Sequence, residues 1–494
     1  MLSYRTVCFT KAWIKVVHLT VLKFISDTEN MASRSYGACF LCHRAAVVNI
    51  MFRSVSSAAL PQPKVDFLKG ELHRKHPGVT NLKTVRLPEH LQLAAQSIIH
   101  RVRVPQFVER SQKLTNFLWS RKRAVEDLML RQKAVSMEKE LWEKSVQNIG
   151  RDVDEQLLGD RIRKKVLSEL RRTTYRWTPL KYDEELSMVY MAARLAGGYA
   201  AVRRALNEIK KRDPSFAPQT LLDFGSGLGT VAWASHSCWD DSFREMVCVD
   251  SSAAMNVLAE QLLKGDDERA QPHIKHVYFR QFLPVSPKVQ FDLVVAAFTL
   301  SELPNVNDRA DAMTTLWRKT NSYLVLVENG TKEGHQMMLE ARDVLLTKQE
   351  KVVHDPRPAS VFAPCPHEMM CPKLAQKPVT PCNFHQRYHP LPLPGRHECQ
   401  TEKFSYLILS RTEPAEPTPE GLDWGRLIAP VLCRTRHVHC HVCRSDGRLQ
   451  HMVVTARKHS RDMYRCARNS EWGDQLPIVE NVKEETKVHS DSES

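Results

Sequence analysis

Residues 221–230 read LLDFGSGLGT, a short apolar run that leads into three glycines at alternate positions. The apolar run has the composition of a buried β-strand, and Asp223 lies near its end. Gly225, Gly227 and Gly229 leave the backbone amides uncovered, so the polar groups of a ligand can approach the main chain closely. The stretch therefore predicts a strand, a ligand-binding loop and a helix that begins directly after the loop.

An acidic residue followed by Gly-x-Gly-x-Gly resembles the first motif of class I S-adenosylmethionine-dependent methyltransferases, in which this loop cradles the methionine moiety. A dinucleotide-binding fold is the rival interpretation, but its pattern, Gly-x-Gly-x-x-Gly, places the last glycine further along the chain. The resemblance implies that the cofactor is held by Asp223, Gly225, Ser226, Gly227 and Gly229.

The apolar runs that follow predict the rest of a parallel sheet. Residues 246–250 (MVCVD) place Asp250 about 20 residues beyond the glycines, the offset at which an acid contacts ribose hydroxyls. Residues 291–298 and 323–328 are continuous apolar runs, which are typical of strands covered by helices on both faces. We therefore predict an α/β, Rossmann-like cofactor domain over residues 212–350, with Asp250 as a further cofactor-binding residue.

The composition indicates a polyanionic partner. The 494 residues carry a formal net charge of +15 at pH 7, and the pI is near 9.2. A chain this basic favours nucleic acid as its partner. No run of roughly 18 or more apolar residues occurs, so we expect no transmembrane helix and no membrane insertion.

The N-terminal part is predicted to contain a targeting segment and a helical region. Residues 1–60 are basic, rich in serine and poor in acids, as in a mitochondrial transit peptide, and Met31 offers a second possible start. Residues 80–211 show apolar side chains at three- and four-residue spacing, which predicts helices. The arginine- and aromatic-containing segment 167–177 fits either RNA contact or a solvated helix face, and the second is favoured.

No catalytic residue can be identified from the sequence. Methyltransferases that act on the amino groups of bases usually carry an Asn/Asp-Pro-Pro-aromatic motif after the strand that residues 291–298 represent. This chain has TLSELP at residues 299–304 instead. The difference favours lost or altered catalysis.

Cysteines concentrate late in the chain, where seven of the thirteen lie between Cys365 and Cys443. Cys365, Cys371 and Cys382 occur in a proline-rich stretch that is poor core material but suits metal ligands. A fourth thiolate is expected from HVHCHVC, which contains Cys440 and Cys443. Because only one CxxC pair is close, an iron–sulfur cluster is favoured over zinc, and free buried cysteines rank third.

The C-terminal part is predicted to contact RNA. A cysteine-rich metal-binding insert is predicted at residues 351–445, with return strands at its end. A small basic β unit follows, and its residues 446–474 are expected to contact RNA phosphates. Residues 475–494 are polar and are predicted to be a disordered tail.

The motifs together are similar to those of the small-ribosomal-subunit methyltransferase-like family of mitochondria and bacteria. The resemblance rests on DFGSGLGT, FDLVVAAFTLSELP, VENGTKEG, CPHEMMCP, and HVHCHVC followed by TARKHSRDMYRCAR. It implies S-adenosylmethionine binding and a four-cysteine 4Fe-4S cluster. Cys365, Cys371 and Cys382 match the cluster cysteines of the family, and the fourth is Cys443, with Cys440 as the alternative.

The same resemblance implies a function. The expected protein is an assembly factor of the mitochondrial small ribosomal subunit that works in the matrix, binds the subunit's rRNA and supports mitochondrial translation, acting as a monomer. The alternative is an active S-adenosylmethionine-dependent rRNA methyltransferase of that subunit. The missing Asn/Asp-Pro-Pro-aromatic motif favours the assembly factor.

Overall fold

The computed structural model describes most of the chain after the N-terminal segment. The described residues are 67–68, 70–101, 104–148, 155–175, 177–265, 267, 269–286, 288–347, 355, 357–411 and 423–478. They all belong to one compact unit, Gln62–Ser494. The transit-peptide prediction for residues 1–60, and the tail prediction beyond residue 478, lie outside the described residues.

Helices precede the first strand. They are α1 (Glu89–Arg101), α2 (Phe107–Ser120), α3 (Asp127–Asn148), α4 (Glu155–Thr173) and α5 (Glu184–Arg212). The longest of these, α5, begins at an N-cap at which the Asp183 carboxylate accepts a hydrogen bond from Leu186 N at 2.8 Å. Its first turn is acidic and its last turn is basic, which complements the helix dipole. The middle of α5 is rich in alanine and glycine and is buried, so other elements can pack closely around it.

Parallel strands and their connecting helices form the part of the structure that contains the glycine loop. In chain order these elements are β1 (Thr220–Phe224), α6 (Thr230–Trp239), β2 (Glu245–Val249), α7 (Ala253–Lys264), β3 (Val277–Arg280), β4 (Phe291–Ala297), α8 (Val306–Arg318) and β5 (Thr320–Asn329). The strands lie in the order β3-β2-β1-β4-β5, and each neighbouring pair is parallel. This is the order of a doubly wound, Rossmann-like sheet, in which ligands bind beside the strand where the order reverses.

Sequence patterns missed one of these strands. The predicted strands at residues 246–250, 291–298 and 323–328 correspond to β2, β4 and β5. The strand β3 has only four residues, and they alternate between partly buried and exposed positions. It lies at the edge of the sheet, where no continuous apolar run is needed.

Antiparallel strands extend the same sheet. After α9 (Lys332–Thr347) come β6 (Ser360–Ala363), β7 (Phe384–Tyr388) and β8 (Gln400–Ser410). The long strand β8 pairs with β5, and both β6 and β7 pair with β8. The strands of the cysteine-rich region therefore continue the main sheet.

A second, smaller sheet forms the end of the described chain. Its elements are β9 (Asp423–Leu427), β10 (Leu432–Cys433), β11 (Val438–Cys443), β12 (Leu449–Val454), α10 (Ala456–His459), α11 (Arg461–Asn469) and β13 (Gln475–Ile478). The order is β10-β11-β9-β13, with β12 beside β11. Residues 475–478 were assigned to a disordered tail, but they pair with β9 and are buried. The predicted boundary at residue 445 falls inside the β11–β12 hairpin.

A buried carboxylate links α5 to both sheets. Glu208 of α5 accepts hydrogen bonds from Arg204 at 3.0 Å, from Arg426 of β9 at 2.7 Å and from the Tyr406 hydroxyl of β8 at 2.9 Å. Glu208, Arg204 and Arg426 are all almost completely buried. Burial alone would raise the pKa of Glu208, but Arg426 and Arg204 hold it well below its usual range.

The same arginines also bind backbone groups of distant segments. Arg426 donates to the carbonyl of Pro364 at 3.0 Å and to the carbonyl of Gly473 at 2.7 Å. Arg204 donates to the Thr80 hydroxyl at 2.7 Å, while the Thr80 amide donates to the Asp474 carboxylate at 2.7 Å. The segment before α1, the loop after β6 and the loop before β13 therefore meet at this ion network.

We expect Glu208→Gln to lower the free energy of unfolding by about 3 kcal/mol, because removing one partner of a buried ion pair leaves the other charges uncompensated. Urea unfolding at pH 7 measures this change. The folded-state pKa of Glu208 is lowered, so its contribution is present at neutral pH and is lost as the pH falls below about 4. The control, Glu260→Gln on the exposed side of α7, should change stability by less than about 0.5 kcal/mol. Equal stability of wild type and Glu208→Gln would contradict the structural role.

Candidate cofactor loop and cysteine site

The glycine loop between β1 and α6 is held against the end of β2. The amides of Gly225 and Ser226 donate to the Val249 carbonyl at 2.8 and 3.1 Å. Gly225 has a φ of +72°, and a Cβ there would lie 2.3 Å from Thr299 Oγ1, so a larger residue is excluded. Gly227 has a φ of +48°, but a Cβ there would meet nothing within 4 Å. The loop is therefore tightly packed at its start and open at its centre.

Asp250, directly after β2, contacts the centre of this loop. Its Oδ2 accepts a hydrogen bond from Gly227 N at 2.9 Å, and its Oδ1 accepts one from Ser252 N at 2.8 Å. Burial raises the pKa of Asp250, and these two backbone donors oppose the shift. The carboxylate thus fixes the loops after β1 and β2, and its remaining lone pairs can accept further donors.

Asp223 is fully buried near the end of β1. Neither of its carboxylate oxygens has a hydrogen-bond partner among the described residues. Burial raises the pKa of Asp223 well above its usual range, and the charge of Asp250 adds to the shift. A buried acceptor without a partner is costly. The residue therefore fits a ligand that brings donors to the end of β1, and the ammonium and hydroxyl groups of S-adenosylmethionine meet that requirement.

Acidic side chains also lie at the ends of β4 and β5, where active sites of α/β folds are found. Glu328 is buried at the end of β5, and its Oε1 accepts a hydrogen bond from Ser301 N at 3.1 Å. Glu302 accepts hydrogen bonds from Arg121 at 2.6 Å and from the Tyr182 hydroxyl at 3.2 Å. Protein groups that lie far apart in the sequence therefore hold both acids in place.

Four cysteines line one partly open cavity. They are Cys365, Cys371, Cys382 and Cys443. The first three come from the loops between β6 and β7, and the fourth comes from the end of β11. All four are free thiols. The structure thus brings together, at the junction of the two sheets, the four cysteines that the sequence suggested as ligands.

Cys443 and Cys440 lie on opposite sides of β11. Side chains alternate along a strand. Val438, Cys440 and Val442 belong to the apolar core of the small sheet, whereas Cys443 reaches the cavity at the strand end. Cys440 does not line the cavity. In the antiparallel ladder, Cys443 lies opposite Arg426 of β9.

Histidines adjoin two of the thiols. His367 Nε2 lies 3.4 Å from Cys443 Sγ, and His335 Nε2 lies 4.0 Å from Cys371 Sγ. Arg342 of α9 donates to the His367 carbonyl at 2.9 Å, which holds the CPHEMMCP loop. His367 lies between the cysteines in the sequence, but His335 lies in α9 and carries no sequence signal that connects it with them.

The thiols lie in surroundings that favour their neutral form. Burial raises the pKa of Cys443 to about 12 and raises that of Cys382 further, and neighbouring thiols add to both shifts. Within the described ranges, no group of three or more histidine, cysteine, aspartate or glutamate side chains converges so as to hold a metal ion.

Basic side chains cover the exposed sides of α10 and α11. Arg457, Lys458, Arg461, Arg465 and Arg468 are all exposed. The opposite side of α11 packs Met463, Cys466 and Ala467 into the core of the small sheet. No helix in the described part of the chain combines the length and the apolar character that a membrane span requires.

Comparisons with known proteins identify relatives. A family model described as mitochondrial small ribosomal subunit Rsm22 matches residues 184–477, more than half of the chain. The mitochondrial ribosome assembly protein METTL17 of Homo sapiens is 52% identical over 84% of this chain and 88% of its own length. The mitochondrial Rsm22-cox11 tandem protein 2 of Schizosaccharomyces pombe is 28% identical over 62% of this chain and 44% of its own length.

Solved structures show only a distant likeness. A SAM-dependent methyltransferase from Aquifex aeolicus is 14% identical, with a TM-score of 0.26, over 33% of this chain and 88% of its own. Magnesium protoporphyrin IX methyltransferase from Synechocystis PCC 6803 is 12% identical, with a TM-score of 0.27, over 53% of this chain and 100% of its own.

The buried carboxyl group of Glu328 generates a prediction about pH. Burial raises its pKa to about 7, so the folded protein keeps a proton that the unfolded chain releases above about pH 4.3. Stability should therefore fall as the pH rises from about 4 to 7. Glu328→Gln removes this dependence, and we expect the variant to be more stable than wild type by about 2 kcal/mol at pH 8 but not at pH 4.5.

Urea unfolding at the two pH values measures the difference, with Glu245→Gln at the exposed start of β2 as the control. A variant that is less stable than wild type at pH 8 would show that the charged form is the one the fold requires.

Proposed function

The chain belongs to the mitochondrial small ribosomal subunit Rsm22 family, and from that premise we propose that it assembles the mitochondrial small ribosomal subunit in the matrix. In this proposal it binds the rRNA of that subunit, S-adenosylmethionine and a 4Fe-4S cluster, and so supports mitochondrial translation. The human relative, named as a ribosome assembly protein, supports the assembly role. The observation that carries the cluster is the meeting of four free cysteines around one cavity.

Each functional part has a proposed place in the chain. Residues 1–60 serve as the transit peptide, and residues 80–211 form the helical N-terminal region. Residues 212–350 bind S-adenosylmethionine, residues 351–445 supply cluster ligands, and residues 446–474 contact RNA. The exposed cations of α10 and α11 support the last assignment, because RNA phosphates are held by such side chains.

The glycine loop supports cofactor binding. In this proposal the open centre of the loop, at Gly227, receives the ligand's polar groups, Asp250 accepts from its hydroxyls, and Asp223 gains the donors that it lacks. Gly225, Ser226 and Gly229 shape the loop around these contacts. When bound, S-adenosylmethionine supplies an activated methyl group. The proposal for this loop is cofactor binding alone.

The cysteine site supports a linking role. Cys365, Cys371 and Cys382 belong to the main sheet's loops, and Cys443 ends a strand of the small sheet. Ligation by all four would fasten the two sheets to each other next to Arg426, which already joins them. Metal binding to thiols contributes folding free energy directly. The proposed cluster is therefore a structural link between the fold and its RNA-contacting end.

An active rRNA methyltransferase is the second candidate function. The open glycine loop and the unpartnered carboxylate of Asp223 favour it, since both indicate retained cofactor binding. The sequence TLSELP after β4 argues against it, because the motif typical of base-amino methyltransferases is missing.

Replacement of Cys443 should distinguish a ligand from a buried cysteine. We expect Cys443→Ser to lose most bound iron and sulfide after anaerobic purification, because one of four thiolates is removed. Cys440→Ala should keep both, since Cys440 lies in the apolar core of the small sheet. Iron, acid-labile sulfide and zinc assays measure the outcome. Stoichiometric zinc without iron in the wild type, or equal iron in both variants, would contradict the cluster assignment.

Replacement of Gly227 tests the cofactor loop and separates the two functions. Gly227→Trp should fill the open side of the loop and abolish the thermal stabilisation that S-adenosylmethionine gives the wild type. Gly265→Trp is the matched control, because Gly265 also has a positive φ, +78°, and open space beyond it. Both variants are then expressed in cells that lack the endogenous protein, and small-subunit assembly and rRNA methylation are measured.

If Gly227→Trp restores assembly and every methyl mark, the protein is an RNA-binding assembly factor, as proposed. If assembly returns but one mark stays missing, the methyltransferase is the correct function. If neither wild type nor variant restores assembly, the assembly role is wrong.

A further inference from the structure

The small sheet presents a cluster of histidines on its outer face. In β11, Val438, Cys440 and Val442 belong to the core, so His439 and His441 project to the other side. We call this surface the histidine face, and it consists of His437, His439, His441, His451, Leu432 and Val453. The strand pairings place Leu432 and Val453 on either side of His439, and His451 opposite His441.

The imidazole rings of His439, His441 and His451 are nearly parallel to one another. The rings of His439 and His451 are 5.1 Å apart and inclined by 8°, and those of His441 and His451 are 4.6 Å apart and inclined by 18°. Nδ1 of His439 lies 3.0 Å from Nε2 of His451. Nearly parallel rings direct their flat faces, and not their nitrogen lone pairs, along a common direction.

The face is both exposed and apolar at its margins. Leu432 is 49% exposed and Val453 is 40% exposed, although both lie in strands. Apolar side chains beside exposed aromatic rings are typical of surfaces that bind flat, partly apolar partners. Burial and the neighbouring imidazoles lower the pKa of His439.

Positive charge surrounds these rings. Arg434, at the end of β10, lies close enough to His439 to lower its pKa. Residues 432–468 contain nine arginine and lysine residues but only two acids. An acidic protein surface would pair with these cations, but its carboxylates would offer no flat ring to contact the imidazoles. A polyanion that also offers flat rings complements both features.

We propose that the histidine face binds an unpaired segment of RNA, with bases stacked on the imidazoles and phosphates beside Arg434 and the cations of α10 and α11. Single-stranded RNA exposes the faces of its bases, and proteins stack them on aromatic side chains that include histidine. A duplex hides those faces. The proposal rests on the rRNA binding proposed above, and it specifies which surface recognises the RNA and in which form.

The test uses the full chain and two RNA probes, an unpaired strand of about 12 nucleotides and a blunt-ended duplex of about 12 base pairs. The double variant His439→Ala/His451→Ala should bind the unpaired RNA about tenfold more weakly, the loss expected when base stacking is removed. Its affinity for the duplex and the slope of its affinity against salt concentration should match wild type, because the phosphate contacts remain. The fluorescence of 2-aminopurine in the unpaired probe should be quenched by wild type and not by the variant.

Two further variants separate stacking from folding. His439→Tyr/His451→Tyr keeps aromatic rings at both positions and should keep affinity and quenching close to wild type. His397→Ala removes an exposed histidine from a loop outside the small sheet and should have no effect. Circular dichroism and thermal unfolding establish that each variant is folded before binding is measured.

Each outcome supports or overturns the proposal. Loss of quenching and affinity in the alanine variant, with retention in the tyrosine variant, supports it. If wild type and the alanine variant bind the unpaired RNA equally, the histidine face is not the binding surface, although RNA binding itself stands. If the alanine variant binds RNA normally but no longer associates with ribosomal particles, the face contacts a protein and the proposal is wrong. If wild type binds neither probe, the rRNA-binding function also fails.

Discussion

The arrangement of the described structure depends on the buried carboxylate of Glu208. This one group accepts hydrogen bonds from Arg204 of its own helix, from Arg426 of the small sheet and from Tyr406 of the main sheet. Removing these charges from water is costly, and the cost is offset only when donors and acceptors are closely matched. Because Arg426 also donates to the Pro364 carbonyl, the residue before Cys365, the same network fixes the position of the cysteine loop. The helix, both sheets and the candidate cluster site are therefore aligned by a single polar centre.

The sequence predicts those strands that are buried on both faces of the sheet. The parallel strands β2, β4 and β5 lie under helices on both faces, so their continuous apolar runs are visible in the sequence. The edge strand β3 has no such run. The strands β6, β7 and β13 are short, and their pairing with β8 or β9 depends on residues far along the chain. Local patterns cannot supply these partners, which is why residues 475–478 were expected to be part of a tail.

The candidate sites were predictable to different degrees. Glycines at alternate positions mark the loop, but the absence of any partner for Asp223 becomes visible only when its surroundings are known. Thiols in a proline-rich segment are recognisable as candidate ligands. The choice between Cys440 and Cys443 could have been made from the sequence, because Val438, Cys440 and Val442 are apolar at every second position and so share the core face. His335 and Arg426 approach the cysteine cavity from distant elements, and nothing near them in the sequence indicates it.

The strand β11 connects the two proposed sites through its register. Its core face holds Cys440, its outer face holds His439 and His441, and its end carries Cys443 into the cavity. A shift of one residue would exchange the two faces, burying the imidazoles and removing Cys443 from the other thiols. The register is set by the pairing of Cys443 with Arg426 on one side and with Leu449 on the other. Since Arg426 is itself held by Glu208, the position of the fourth thiol and the orientation of the histidine face follow from the same buried contact. Ligation at Cys443 would fasten the end of the strand that carries His439 and His441, so the proposed cluster site and the histidine face share one strand.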